Sequence, residues 1–292
     1  MIDCQRLLHY RIPERRQAYT RRDTIFYALS LGFGERPTDP RHLEFVYEEG
    51  LSTLPTMANV LAQPGFWVAD PETTIDARRL LHGEQRVRLM RPLPPEATVT
   101  GHTKVLEVVD KGSGHDSLVR SRRRLVDDAD GETLAEIDQL YICRGQGGGG
   151  SAAVPDIAPL PVLPEQAEGS IPAFSREVEI SPQCALLYRL NGDMNPLHAS
   201  PARAAAAGFD RPILHGLASF GLALRALTEA QPDLDVTKIE ELSVRFSAPV
   251  FPGDRMTTDF WAVPDGYAFV SRVAGRDRPV LTKGRALVRR NE

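Results

Sequence analysis

The chain has 292 residues, which at roughly 150 residues per domain is enough for two domains of ordinary size. With 42% hydrophobic and 25% charged residues it has the composition of a folded globular protein, which excludes a largely disordered, collagenous or coiled-coil chain. The net charge of −4, from 35 Lys plus Arg against 39 Asp plus Glu, argues against a nucleic-acid partner.

Met1 to Pro13 has polar residues inside its only short apolar run, so it fits neither a signal peptide nor a spanning helix. No stretch approaches ~18 apolar residues, and no membrane partner is expected. Cys4, Cys143 and Cys184 are odd in number, far apart and without C-x-x-C spacing, which implies reduced thiols and a cytoplasmic location.

In chain order, Thr24–Leu31 reads as helix, and 87–90, 98–109, 117–126 and 134–143 read as strands. Gly145 to Glu168 then shifts composition, with Gly147 to Gly150 followed by Pro155, Pro159, Pro161 and Pro164. Glycine predicts a flexible first part and proline an extended second part. The expected division is therefore 1–145, a linker over 146–168, and 169–292.

In the second half, 201–207 and the longer 217–230 are rich in alanine and leucine and read helical. Strands are expected at 239–246, 256–263, 267–273 and 280–288, separated by Pro249/Pro252/Gly253, Pro264-Asp265-Gly266 and Gly275 to Pro279. Helix first and strand meander after is an α+β pattern. The halves also echo one another: Val87-Arg88-Leu89-Met90-Arg91-Pro92-Leu93-Pro94-Pro95 matches Val244 to Pro252 without a gap, at an offset of 157. A duplicated unit follows, in which an antiparallel sheet wraps a helix twice.

Asn191-Gly192-Asp193-Met194-Asn195-Pro196-Leu197-His198 is the densest group of reactive side chains. A regular helix would place residues five apart about 140° from each other, so Asp193 and His198 would diverge. Gly192, Asn195 and Pro196 point instead to a turn in which they converge. There the carboxylate can accept from a water, and the imidazole can accept or donate a proton near neutrality. The alternative is that Asp193 only caps the helical run after Pro196, with His198 packed beneath it. Nearby, Arg211-Pro212-Ile213-Leu214-His215-Gly216 leads into the apolar helix, where free N–H groups beside a glycine form a ready oxyanion hole or merely a turn before a core helix.

These segments, with Arg22 to Leu29, Leu81-His82-Gly83-Glu84-Gln85, Asp110-Lys111-Gly112-Ser113-Gly114 and Val244 to Gly253, resemble the type 2, (R)-specific enoyl-CoA hydratases of the MaoC-like family. Asn191 stands where that family has a small Ser-like residue. The resemblance implies a double hot-dog fold, two antiparallel sheets each wrapped on a central helix. It also implies hydration of trans-2-enoyl-CoA to (R)-3-hydroxyacyl-CoA with no metal or redox cofactor. By the same resemblance Asp193 and His198 hold and activate the water, Gly216 donates to the thioester oxygen, and Asn195 orients His198 or the water. His82, Gly83, Lys111 and Phe246 then line the path of CoA and acyl chain, and the chain pairs as a homodimer.

The first half has Tyr27-Ala28-Leu29-Ser30-Leu31-Gly32 where the second has Tyr188 to Asp193, so one active site per chain is expected. No H-x-x-x-H, H-E-x-x-H, G-x-S-x-G or P-loop pattern occurs. Arg120, Arg122, Arg123 and Arg124 form a basic strand that could meet CoA phosphates or simply face solvent. The other readings are an acyl-CoA-binding subunit without chemistry, and a dehydratase of a branched, dicarboxylic or steroid side-chain acyl-CoA; a dicarboxylic substrate would need a cation in the acyl pocket.

Overall fold

The computed structural model describes residues 1–157 and 170–289. The first half contributes β1 (Arg15–Tyr19), β2 (Leu80–Leu89), β3 (Ala97–Asp110), β4 (Ser117–Asp127), β5 (Thr133–Cys143) and the short β6 (Ala152–Ala153). The second contributes β7 (Phe174–Glu179), β8 (Ile239–Phe246), β9 (Arg255–Val263), β10 (Gly266–Val273) and β11 (Leu281–Val288). They form one sheet in the order β1-β3-β4-β5-β2-β8-β11-β10-β9-β7, with β6 on β3. The pairings described are all antiparallel.

The two expected sheets are thus continuous, joined edge to edge by β2 and β8, which hides an edge strand of each half. In that junction Arg86 pairs with Ser243, and Ser243 lies 157 positions after Arg86, the offset of the sequence repeat. The repeat is therefore a pseudo-two-fold, with its axis at this pair. A second contact between equivalents supports it: Asn191 Nδ2 donates to Ser30 Oγ at 3.0 Å, beside the Tyr27–Tyr188 ring contact at 5.9 Å.

The helix Gly216–Ala230 buries thirteen of its residues, among them Leu217, Phe220, Leu224 and Leu227. A helix apolar around nearly its whole circumference must be wrapped on all sides, and the sheet of the second half wraps it. The first half differs from the expected symmetric arrangement. Its only helix above five residues, Arg21–Ser30, is the counterpart of the Cys184–Tyr188 helix. In place of a second long central helix there is a single 3-10 turn, Pro55–Asn59, buried throughout. Pro64-Gly65 follows it closely, and proline removes the hydrogen bonds a longer helix would need. Arg123 Nη2 donates to the carbonyls of Ala58 and Asn59 at 3.0 and 2.8 Å, satisfying the end of this turn.

Gly147 to Gly150, expected to be flexible, packs on the first half instead. The N–H groups of Gly148 and Gly150 donate to the Asp110 carboxylate, and a Cβ on Gly149 would lie 1.9 Å from the Ile2 carbonyl oxygen. These glycines serve close backbone approach. The proline-rich part, Pro159 to Pro164, lies outside the described residues.

Candidate active site

The segment carrying Asp193 and His198 is a turn, as its Gly and Pro require. Gly192 ends a 3-10 turn at φ 120°, a conformation open to glycine. Asp193 Oδ1 accepts from the N–H of Asn195, and Asn195 Oδ1 accepts from the N–H of Leu197 at the start of the 3-10 turn Pro196–His198. The capping residue of this turn is therefore Asn195 and not Asp193. The Asn195 side chain thus caps the short turn that ends at His198.

His198 is buried, and its Nδ1 lies 2.9 Å from the carbonyl oxygen of Ile213. A carbonyl only accepts, so neutral His198 carries its proton on Nδ1 and its lone pair on Nε2. His215 Nε2 donates to the backbone carbonyl of Asp193 at 3.2 Å, which ties the two loops together. The imidazoles of His198 and His215 stack with centroids 3.7 Å apart, and the Tyr188 ring packs on His215 at 5.1 Å. One ligand-capable atom from each of Asp193, His198 and His215 lies within 4.8 Å of the others. Burial pushes the pKa of His198 down, opposed by the Ile213 carbonyl and the Asp193 carboxylate. Burial, then the neighbouring His198, pushes His215 to about 4. Both rings are neutral at pH 7.

His215 precedes Gly216, the first residue of the central helix, whose N–H has no partner one turn back. Gly216 is exposed, and a Cβ there would come within 3.2 Å of the Phe246 ring. Phe246 in turn packs on His82 at 4.7 Å, and His82 on Tyr141 at 5.6 Å. Gly83 sits at a bulge in β2: His82 pairs with Tyr141 and Glu84 with Leu140, leaving Gly83 extra. A Cβ there would meet Leu140 O at 3.2 Å. Burial holds His82 near pKa 4, against the raising effects of Gln85, Glu84 and the Asp193 charge.

The fold thus joins Asp193, His198 and Gly216 at one end of the central helix, with Phe246 and His82 from the two strands of the pseudo-dyad beside them. Lys111 stands apart, exposed in the loop after β3, and among the described residues no hydrogen bond or ring contact links it to the cluster. His215, Tyr188 and Tyr141 were not among the expected site residues. His215 had one visible signal, its place directly before Gly216.

The MaoC-like domain family matches residues 165–276, and the MFE-2 hydratase 2 N-terminal domain family matches residues 17–145. The chain is 35% identical to the enoyl-CoA hydratase ChsH3 of Mycobacterium tuberculosis, over 98% of this chain and 99% of that one. It is 32% identical to the peroxisomal enoyl-CoA hydratase 2 of Arabidopsis thaliana, over 94% and 92% of the two chains. Among solved structures, a MaoC-like dehydratase from Phytophthora capsici superimposes with a TM-score of 0.84 at 31% identity, covering 99% of both chains.

Proposed function

Since the chain belongs to the MaoC-like, type 2 enoyl-CoA hydratases, we propose that Asp193 and His198 perform its chemistry, the (R)-specific hydration of trans-2-enoyl-CoA to (R)-3-hydroxyacyl-CoA. The protein is a hydro-lyase. A water between the Asp193 carboxylate and His198 Nε2 gives a proton to Nε2 as its oxygen bonds to C3 of the enoyl thioester. The C2=C3 electron pair moves toward the thioester, and the charge on the carbonyl oxygen is met by the Gly216 N–H at the positive end of the central helix. The imidazolium, stabilised by Asp193, then returns a proton to C2. One water is consumed and no net redox change occurs, so the reaction calls for no redox cofactor.

The observation that carries this assignment is the hydrogen bond from His198 Nδ1 to Ile213 O, which leaves Nε2 as the base. The test is the loss of ultraviolet enoyl-thioester absorbance with crotonyl-CoA, decenoyl-CoA and a steroid enoyl-CoA. Asp193→Asn and His198→Ala are expected to lower kcat by roughly 10²–10⁴-fold with the fold intact. Retained turnover in both variants would overturn the assignment; tight binding without turnover by the wild type would favour a non-catalytic acyl-CoA-binding subunit.

Among the described residues no helix is long and apolar enough to cross a membrane. Cys4, Cys143 and Cys184 are free and buried, which supports a reducing, cytoplasm-like compartment. The exposed Leu186, Leu190 and Met194, close together in sequence, support pairing of two chains as a homodimer, to be checked by sedimentation.

A further inference from the structure

We propose that Arg79 and Arg144 bind the phosphates of CoA at the outer end of β2 and β5. The proposal rests on the hydratase reading, since it concerns the far end of the same thioester substrate. Arg78, Arg79 and Arg144 line a cavity, and the Arg144 N–H donates to the Arg79 carbonyl at 2.9 Å, which holds the two segments together.

Their charges differ in availability. The Arg78 guanidinium is bound to the Asp76 carboxylate through Nε and Nη2, at 2.9 and 3.0 Å. Among the described residues no carboxylate lies within ion-pairing distance of Arg79 or Arg144, both of them exposed. Three of the four arginines of the basic strand that the sequence offers for phosphates are engaged elsewhere, and the fourth, Arg124, is exposed. Arg120 and Arg122 bind Asp138, and Arg123 binds the Ala58 and Asn59 carbonyls. Two uncompensated guanidiniums beside a cavity, on a chain of net charge −4, make a local anion site.

The placement fits a substrate reaching from the catalytic cluster to solvent. His82 pairs with Tyr141 in the wall of that cluster, and Leu80 pairs with Cys143 at the end of the strands. Arg79 and Arg144 directly adjoin that end, each one residue outside the strands. The Arg79 guanidinium lies over Gly145, where a Cβ would come within 2.2 Å of Nη2 unless the arginine side chain moved aside. The loop bearing Lys111 is tied to the same rim, because Gly145 N–H donates to Asp116 and Gly147 N–H to His115 O, both at 2.9 Å.

The test compares crotonyl-CoA with the crotonyl thioester of N-acetylcysteamine, which has no phosphates, using the wild type and the Arg79→Gln/Arg144→Gln double variant. The preference for the CoA thioester, as a ratio of kcat/KM, is expected to fall at least tenfold, through KM. Binding of 3′,5′-ADP measured by calorimetry is expected to be lost in the double variant. An unchanged preference, or unchanged 3′,5′-ADP binding, would overturn the assignment. If the wild type hydrates neither thioester, the hydratase reading fails, and the 3′,5′-ADP titration alone decides the arginines.

Discussion

The imidazole of His198 lies face to face with that of His215, 3.7 Å between centroids and 28° from parallel. Two imidazoles this close cannot both be cationic at low cost, and burial disfavours charge on either. With His198 as the proposed base, activity is lost as pH falls through its pKa, which burial places below the ordinary value of 6.5. The acid limb of kcat/KM is therefore expected below pH 6.5. In Asp193→Asn the raising effect of the carboxylate is gone, so the limb of the residual activity moves further down. An acid limb at or above 6.5 in the wild type would contradict the geometry.

Gly216 and Phe246 are fitted to each other, since any Cβ on Gly216 meets the Phe246 ring at 3.2 Å. Gly216→Val is expected to push the ring toward His82, obstruct the thioester beside the Gly216 N–H, and lower kcat/KM by about tenfold or more. Phe246→Ala makes room for the new side chain, so the double variant is expected to recover part of the loss. The coupling is read from a double-mutant cycle of kcat/KM, and strictly additive effects would show that the two residues do not meet at the substrate.

Much of this site was legible before the structure, for physical reasons that also explain what was not. The strand 239–246 coincides with β8 because turn residues bound it and its middle, residues 241–244, is buried throughout. β1 and β7, with sequences RRQAY and FSREVE, were missed because edge strands with one exposed face carry few apolar residues. β2 begins at Leu80 and not near Val87, since the bulge at Gly83 breaks its alternation. Asp193 and His198 were recognisable because Gly192 and Pro196 forbid a regular helix between them. The stack on His215 was not, because it depends on the path of residues 199–214, which no local pattern encodes. The missing first-half helix left a weak trace in Pro55 and Pro64. The 157-residue echo proved more informative than its length suggested, because it marks the strands that pair at the pseudo-dyad.

Stability is expected to fall on mild acidification before the buried Glu229 and Asp138 carboxylates are protonated. His82 and His215 have folded pKa values of about 4, below the unfolded value of 6.5. Above pH 6.5 they are neutral in both states and cost nothing. Between pH 6.5 and 4 the unfolded chain takes up protons that the fold refuses, and stability declines, by roughly 3 kcal/mol for His82 alone. The Tm is thus expected to drop between pH 6.5 and 4, less steeply in His82→Phe. A flat Tm across that window would exclude the buried neutral state of these rings.

Glu229 is the charge that holds loop and strand elements to the central helix. Its carboxylate meets Arg225 Nε at 2.8 Å and Arg176 Nη2 at 2.5 Å, is paired with Arg36, and accepts from His42 Nε2 at 3.2 Å. Gly34 N–H donates to His42 Nδ1, which fixes the proton on Nε2, so His42 is a neutral donor to Glu229. Burial alone would raise the Glu229 pKa, but Arg225, Arg176 and Arg36 outweigh it and hold the carboxyl at about 2. Its contribution therefore persists down to about pH 4.5 and is lost only as pH falls toward 2, below the histidine window. Glu229→Gln leaves Arg225 buried with Glu35 as its remaining carboxylate partner, and Arg225 has a side-chain exposure of 4%. Removing one partner of a buried ion pair costs about 3–5 kcal/mol, read as a lower urea midpoint with unchanged slope. Arg225→Met/Glu229→Leu removes both buried charges and is expected to unfold at a higher urea concentration than Glu229→Gln. If the single variant is the more stable of the two, the network's strength lies in packing and not in charge compensation.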